Sequence, residues 1–293
     1  MIAFCTSLRA QAMSNDWAYH VWLLEQTVAS MLAQPGGDVC VVVGSHDVPS
    51  GSLQSHPQVH FERVSIELPA RTFDDMSVDK VIKHSVAARW AIGNGANYVA
   101  FNDADDLVSN RIGSLPMPSD GAGWYSSSQR FFTYGGSLSR LMQVPPPRSG
   151  PFVLVRSDAL QFDAPPFSGE WVAIVEDGGE HDYLRLLARH QQAVCTLAAV
   201  GHAHYVTFMS RIGQPLQPLP FPANLVINHR DSMSTAGSAN GYPVMSALGR
   251  LKRSLRWVPT LRVATSAIRR EFHVPADGQI PTPYRGGASV FWR

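Results

Sequence analysis

The feature that most constrains this chain is the alternation of strand-like and helix-like segments over its first hundred residues. Between the strand-like runs, apolar residues recur at helical spacing over 17–31 and over 78–92. A less regular strand is expected over 59–68. Short apolar runs, several of them rich in β-branched side chains, predict buried strands at 2–5, 39–43 and 98–101. This β-α-β-β-α-β order predicts the α/β class, with a Rossmann-type, mainly parallel sheet flanked by helices and joined by right-handed crossovers.

The boundaries of these elements follow from capping and turn residues. We expect the first helix to be capped by Ser14–Asn15 and the second by Ser77. Farther along the chain, the pattern predicts a helix over 180–190. It also predicts several short strands, at 123–128, 131–132, 152–156, 193–199 and 203–208.

The bulk composition excludes some classes of protein. Apolar residues make up 45% of the 293 residues and charged residues 16%, which is typical of a globular chain with a sizeable core. Lys and Arg total 24 against 23 Asp and Glu, so nothing indicates nucleic acid as a partner. Three cysteines without paired spacing favour free thiols in a reducing compartment. The first residues lack a basic leader, so we expect a cytoplasmic protein.

The composition changes near residue 235. From Ser232 to Arg270 there is no acidic residue, but there are basic ones: Arg250, Lys252, Arg253, Arg256, Arg262, Arg269 and Arg270. This change predicts a main domain at 1–235 and a basic, helical C-terminal extension at 236–293. Such an extension can contact an anionic membrane peripherally, at its inner face, or pack as a helical pair on the main domain.

Acidic residues follow the strand at 98–101 directly. Asp103 and Asp105 are two positions apart, which in an extended, exposed backbone places both carboxylates on one side. Such oxygen donors suit Mg²⁺ or Mn²⁺ and leave coordination positions for substrate phosphates. A calcium loop is disfavoured, because its glycine and glutamate positions hold Val108 and Ser114. The alternative without a metal is a solvated turn that caps the next element.

Three segments together resemble the GT-A fold glycosyltransferases, near the large inverting family that builds bacterial surface polysaccharides. They are the run Tyr98–Asp106, the Asp79-Lys80 pair with Lys83, and Glu180-His181-Asp182-Tyr183. The resemblance covers about residues 1 to 210. It implies a GT-A-like fold, with a nucleotide-binding half at 1–110 and an acceptor half at 111–235. It also implies a nucleotide-diphosphate-sugar donor and a glycan or lipid-linked acceptor.

The resemblance assigns a set of donor-binding residues at the strand ends. Asp103 would meet the donor through the metal, and Asp47 is the nearest acidic residue for reading the base. Lys80 and Lys83 share one helical face and either contact phosphate or are ordinary solvated side chains. The end of the first strand would face the nucleotide with Thr6, Ser7 and Arg9, and Arg9 can pair with phosphate through two hydrogen bonds.

An inverting transfer also needs a carboxylate that accepts the proton of the acceptor hydroxyl. The segment 176–182 supplies four carboxylates around two glycines. Asp182 matches the base position of the family, and Glu180 is the second choice. Capping of the following helix is the alternative role for any of these acids.

A third metal ligand is expected from a histidine, as in some GT-A enzymes. The choices are His202, His204 and His229. His204 is preferred, because the strand predicted to begin there would return towards the aspartates. Two other functions remain open: a nucleotidyltransferase that makes a nucleotide-sugar, and a non-catalytic carbohydrate-binding protein.

Overall fold

The computed structural model describes most of the chain: residues 1–116, 118–132, 137–144, 148, 150–179, 181–227 and 261–281. Its strands, in chain order, are β1 (Ile2–Ser7), β2 (Val39–Ser45), β3 (Val59–Arg63), β4 (Tyr98–Phe101), β5 (Asp106–Val108), β6 (Gly123–Tyr125), β7 (Ser128–Phe132), β8 (Leu138–Gln143), β9 (Val153–Arg156), β10 (Phe162–Asp163), β11 (Val194–Cys195), β12 (Leu216–Pro218), β13 (Asn224–Ile227) and β14 (Leu261–Val263). Its α-helices are α1 (Trp17–Leu32), α2 (Phe73–Gly93), α3 (Glu170–Asp177), α4 (His181–Arg189), α5 (Thr196–Val200), α6 (Tyr205–Arg211) and α7 (Ser266–Glu271).

The main sheet has the order β12-β6-β9-β4-β1-β2-β3. Strands β3, β2, β1 and β4 run parallel, and β9 runs antiparallel between β4 and β6. The predicted α/β class and mainly parallel sheet are therefore confirmed. Because the carboxyl ends of β1 and β4 meet at one edge, the residues that follow these two strands are brought together.

Side chains alternate between the two faces of this sheet, as the strand period of two requires. Cys5 and Phe101 enter a core beneath α2, and this core extends to α3, α4, α5 and α6. Phe4 and Ala100 enter a second core on the other face, which α1 covers with Leu24. Helices on both faces explain why these strands are nearly continuous apolar runs.

Two helices are capped by residues other than those predicted. Helix α2 starts at Phe73, because the side chain of Thr72 accepts a hydrogen bond from the Asp75 amide at 3.1 Å. The expected cap, Ser77, lies inside the helix, where its hydroxyl donates to the Phe73 carbonyl. Helix α1 is capped by Asp16, one residue beyond Ser14–Asn15. In α2 the apolar periodicity starts at Val78, after the helix has begun at Phe73, whereas in α1 both start at Trp17 and only the cap differs.

The strands predicted over 193–199 and 203–208 are largely wrong. Val194–Cys195 pairs with β10, but the residues that follow form helices α5 and α6. Both segments are short and apolar on several sides, and such segments do not distinguish a buried helical turn from a strand.

A second sheet has the order β14-β8-β7-β13-β5. It includes β14 from the C-terminal segment, and α7 follows directly. Phe272, after α7, is fully buried against Leu107, Leu225 and Ile227. Residues 261–281 therefore pack on the rest of the protein.

The remaining parts of the predicted basic extension, 236–260 and 282–293, lie outside the described residues. Membrane contact through the extension stays a prediction, because most of its arginines and lysines are in that part. Within the described residues, no helix is both long and apolar enough to span a membrane.

Candidate functional site

The residues Asp103 to Asp106, here called the acidic turn, close the loop between β4 and β5. The Asp106 amide donates to the Asp103 carbonyl at 3.3 Å, as in a β-turn. The Asn102 side chain donates to the carbonyls of Asp103 and Asp106, both at 2.8 Å, and holds the turn from inside. The expected extended, exposed backbone is therefore wrong. Asp105 is only 5% exposed, and the Asp103 side chain is 19% exposed.

The last residue of the acidic turn ties it to the second sheet. Asp106 is 4% exposed and accepts a hydrogen bond from the Asn224 side chain at 3.3 Å. Burial raises the pKa of Asp106 well above its usual value, and the neighbouring carboxylates of Asp105 and Asp103 raise it further. The backbone amide of Ile227 and the ammonium of Lys80 oppose this increase. Asp106 therefore favours its protonated, neutral form, as expected of a buried carboxyl group among other carboxylates.

Helix α2 supplies the positive charge that faces the acidic turn. The Lys80 ammonium forms an ion pair with the Asp103 carboxylate, and the Lys80 side chain remains 31% exposed. Burial lowers the pKa of Lys80, but Asp103, then Asp105 and Asp106, outweigh this effect and raise the pKa. Lys80 therefore stays an ammonium beside the carboxylates.

Lys83, one turn farther along α2, is held quite differently. Its side chain is 1% exposed and donates to the Asp79 carboxylate at 2.6 Å and to the Leu8 carbonyl at 2.9 Å. Asp79 also bonds to His46 at 2.8 Å. Burial lowers the pKa of Lys83, although Asp79 opposes this. Lys83 thus fastens the end of β1 to α2 and is not an ordinary solvated side chain, which was one of its two predicted roles.

A glycine allows this close packing. A side-chain carbon at Gly44, in β2, would lie 2.2 Å from the carbonyl oxygen of Lys83. Any larger residue would push α2 away from the sheet. The sequence pattern around Gly44 therefore reflects helix–sheet contact next to the site.

Asp103 lines a cavity of about 240 Å³, here called the main cavity, whereas the other three residues of the acidic turn do not. One face of α2 forms part of its wall, and the turns around α5 and α6 form another part. The described lining residues are Phe73, Asp74, Ser77, Lys80, Val81, His84, Asp103, Pro151, Tyr183, Ala198, Ala199, Val200, Gly201, His202, Ala203, His204 and Tyr205. The cavity therefore joins a charged pair, Lys80 and Asp103, to aromatic and imidazole side chains.

Two cavity-lining residues, His84 and Tyr205, are nearly buried and uncharged. His84 stacks on Phe101 at 5.4 Å between ring centres. Burial, with the nearby charges of Lys80 and Lys83, lowers the pKa of His84 well below its usual value. Burial and the Asp103 carboxylate raise the pKa of the Tyr205 phenol. These side chains can offer hydrogen bonds in the main cavity without adding charge.

A smaller cleft, here called the β1 cleft, lies where β1 ends. Its described lining residues are Ser7, Leu8, Arg9, Ala10, Met13, Pro69, Met76, Asp79, Lys80 and Lys83. Of the donor-binding residues predicted at this strand end, Ser7 and Arg9 line the cleft, whereas Thr6 is fully buried. Asp47 accepts a hydrogen bond from the Gln11 amide at 2.7 Å and so borders the loop that follows β1.

The predicted base is placed apart from the acidic turn. Asp182 lies in the first turn of α4, is 78% exposed and pairs with Arg185 at 3.1 Å. It does not line the main cavity, although its neighbour Tyr183 does. Glu180 lies outside the described residues. The structure thus brings the α4 terminus to the cavity rim, with Asp182 pointing into solvent.

The three candidate histidines differ in position. His204 lines the main cavity with Asp103, and His202 lines it from a more exposed position. His229 lies outside the described residues. The strand expected to begin near His204 is wrong, because His204 occupies the position just before helix α6, where its side chain makes no capping hydrogen bond.

The residues of the acidic turn fit a divalent cation that also binds substrate. Among the described residues no group of three His, Cys, Asp or Glu side chains is arranged to hold a metal. Mg²⁺ and Mn²⁺ sites that serve phosphate chemistry commonly use one or two carboxylates, with phosphate oxygens and water as the other ligands. Asp103 and Asp105 can supply such carboxylates, and the positive charge of Lys80 already lies beside them.

The sequence predicted Lys80 as a site residue but did not predict that Ser77, His84 and Tyr205 also line the main cavity. Ser77, Lys80 and His84 are three and four positions apart and face one side of α2. That spacing was available in the sequence once Lys80 had been chosen. Tyr205 could not be found in the same way, because its segment was expected to form a strand.

Comparison with known proteins gives only distant matches. No protein-family model matches the chain, and no curated protein matches it. Similar solved structures include S. aureus TarS 1–349, with a TM-score of 0.37 and 12% identity, covering 78% of this chain and 60% of that one. Its complex with UDP has a TM-score of 0.35 and 10% identity, covering 78% and 61%. Its complex with UDP-GlcNAc has a TM-score of 0.37 and 10% identity, covering 87% and 64%. The chain thus spans less than two thirds of the length of these structures.

Proposed function

We propose that this protein is a glycosyltransferase that moves a sugar from a nucleotide-diphosphate-sugar to a hydroxyl of a glycan or lipid-linked acceptor, with inversion. One observation carries the proposal: Asp103, just beyond the carboxyl end of β4, lines a cavity beside the Lys80 ammonium, and Asp105 lies next to it in the acidic turn. Ligands of open α/β sheets bind at this edge. The motif at 98–106 adds its resemblance to the GT-A family.

Asp103 and Asp105 are the residues that would hold Mn²⁺ or Mg²⁺. When bound there, the ion would neutralise the negative charge that develops on the diphosphate leaving group. His204 is the proposed additional ligand, because it lines the same cavity as Asp103. It would have to move towards the two aspartates, since the three side chains are not arranged to hold a metal as they stand. Asn102 keeps the turn in shape through its two hydrogen bonds to the backbone.

The donor nucleotide would lie along the β1 cleft. Ser7 and Arg9 line this cleft and offer hydrogen bonds and positive charge to the diphosphate. Asp47, next to the loop that follows β1, is the proposed contact for the base. In this arrangement Lys83 acts by fixing the end of β1, and Lys80 is the cation nearer the phosphates.

The acceptor hydroxyl requires a base. We propose Asp182, in the first turn of α4, or Glu180, two positions earlier in the sequence, because Tyr183 places the start of α4 at the rim of the main cavity. Asp182 must then turn from solvent towards the acceptor, and the glycines at 178–179 precede it in the loop. Asp74 is the alternative within the cavity, since it is a carboxylate that lines the wall formed by α2.

Nucleotide binding and turnover test this proposal together. Thermal unfolding is measured with UDP, GDP and dTDP, each with and without Mn²⁺, and hydrolysis of the matching nucleotide-sugars is then followed with and without EDTA. A glycosyltransferase is stabilised by one nucleoside diphosphate with Mn²⁺ and slowly hydrolyses its sugar conjugate. Release of diphosphate from a nucleoside triphosphate and a sugar phosphate would show a nucleotidyltransferase instead. Sugar binding without any turnover would show a carbohydrate-binding protein.

A further inference from the structure

Lys80 stands between the two cavities of the site. It lines the main cavity together with Asp103, and it also lines the β1 cleft together with Arg9. Its ammonium is presently on the side of the main cavity, in an ion pair with Asp103. A lysine has a flexible four-carbon stem, so the same side chain can serve either cavity.

The neighbouring lysine shows what a fixed ammonium looks like in this helix. Lys83 is 1% exposed and makes hydrogen bonds of 2.6 Å to Asp79 and 2.9 Å to the Leu8 carbonyl. Lys80 has Asp103 as the hydrogen-bond partner of its ammonium and keeps 31% of its side chain exposed. Exchange of partners is therefore open to Lys80, whereas moving Lys83 would unfasten β1 from α2.

The ammonium of Lys80 competes for the oxygen atoms that a metal ion would use. A cation on Asp103 and Asp105 would lie close to the ammonium, and like charges at such a distance repel strongly in a partly buried site. One carboxylate oxygen of Asp103 cannot bind the Lys80 ammonium and a metal ion equally strongly at the same time. Binding of a metal ion would therefore weaken the ion pair between Lys80 and Asp103 unless Lys80 moves to another partner.

We propose that Lys80 is a built-in exchangeable cation, which occupies the acidic turn in the empty protein and moves to the donor diphosphate when a divalent ion binds. This inference rests on the proposed function and deepens it, because it predicts how metal and donor depend on each other. The ion displaces Lys80 from Asp103, and the displaced ammonium has a phosphate partner in the β1 cleft beside Arg9. Metal and nucleoside diphosphate then strengthen each other's binding by the same factor.

Direct measurement of Mn²⁺ binding tests this role without relying on activity. Free Mn²⁺ is titrated by electron paramagnetic resonance against the full chain, first alone and then with saturating UDP, GDP or dTDP, whichever stabilises the protein. We expect Lys80→Met to bind Mn²⁺ alone at least about tenfold more tightly than wild type, because one neighbouring positive charge is gone. The gain in Mn²⁺ affinity caused by the nucleotide should shrink in the same variant.

Matched variants separate this role from a general effect of charge. Lys80→Arg keeps the positive charge and should bind Mn²⁺ alone as weakly as wild type. Arg156→Met removes a positive charge from an exposed ion pair with Asp158 and should leave Mn²⁺ binding unchanged. Far-ultraviolet circular dichroism confirms that each variant is folded, and Lys80→Gln repeats the test with a polar side chain.

Asp105→Asn distinguishes failure of this inference from failure of the proposed function. If wild type binds Mn²⁺ through Asp105, and neither Lys80→Met nor Lys80→Gln binds it more tightly, the exchange is refuted and the metal site stands. If Asp105→Asn binds Mn²⁺ like wild type, or no protein binds it, the proposed metal site is wrong and the exchange falls with it. Tighter binding by both neutral variants, lost on adding Asp105→Asn, supports the exchange.

Discussion

The main cavity has two walls of different chemistry. The wall from the first half of the chain contains Asp74, Lys80 and Asp103, together with His84. The described lining residues from the second half are Pro151, Tyr183, Ala198, Ala199, Val200, Gly201, His202, Ala203, His204 and Tyr205, with no Asp, Glu, Lys or Arg among them. The first wall therefore provides charge, and the second provides shape and neutral hydrogen-bonding groups.

This difference follows from how each wall is built. The first wall stands on parallel strands and on the long helix α2, which can hold charged groups at fixed distances. Helices α5 and α6, which carry most of the second wall, have five and seven residues. We therefore expect the rate of sugar transfer to be almost abolished when the first wall loses a charge, and to be reduced only in part when the second wall is altered.

The largest effect should come from the acidic turn. Asp105→Asn keeps the shape of the buried side chain but removes a metal-binding charge, so sugar transfer should fall by about 10³-fold, the upper end of the range for loss of a preorganised charge-stabilising group. Initial rates with excess Mn²⁺ measure this. Asp158→Asn, at a 74% exposed side chain, is the control and should retain full rate. Near-normal transfer by Asp105→Asn in EDTA would contradict the proposed role of a metal ion at the acidic turn.

A second effect concerns the support of the first wall by distant residues. Phe272 is fully buried against Leu107, which directly follows the acidic turn. Phe272→Ala should lower the free energy of unfolding by about 3–5 kcal/mol, the usual range for a buried phenylalanine. Urea unfolding measures this value. Phe73→Ala, at a 57% exposed side chain, should change it by less than about 0.5 kcal/mol. Equal effects of the two variants would contradict the packing of residues 261–281 on the protein.

The proposed base should give a smaller loss of rate. Asp182→Asn is expected to reduce transfer by about 10²-fold while donor binding stays unchanged, since a positioned base contributes on this scale. Transfer rates and nucleotide-dependent thermal shifts are measured in parallel with Asp74→Asn. If Asp74→Asn loses transfer and Asp182→Asn does not, the base belongs to the charged wall formed by α2. Near-normal rates in both would point to Glu180.

The smallest effect is expected at the second wall. His204→Ala should weaken Mn²⁺ binding by about tenfold, within the range seen when a supporting group of a metal site is removed. Calorimetric titration with Mn²⁺ and nucleotide checks this, with His190→Ala, at the end of α4, as a matched histidine control. Unchanged affinity in His204→Ala would leave the second wall without any metal-binding role.

The sequence alone determined the architecture of the first half and the place of its acidic residues. Apolar runs at β1, β2 and β4 are local and strong, and parallel strands joined by helices bring their carboxyl ends to one edge. The position of Asp103 and Asp105 after β4 follows from that local order. Strand-like segments near α5 and α6 were misjudged, because short apolar segments contain too little periodicity to separate a helix from a strand.

Tertiary structure alone decided how these residues are used. Lys80 and Lys83 lie on one helix, three positions apart, and no local rule distinguishes them. Lys83 is buried because its backbone packs against Gly44 and its ammonium donates to the Leu8 carbonyl, whereas the Lys80 ammonium pairs with Asp103. In the same way, Asp182 fits a family position in sequence, but packing of Tyr183 turns it towards solvent. Burial and charge pairing depend on neighbours that are distant along the chain, so sequence spacing cannot specify them.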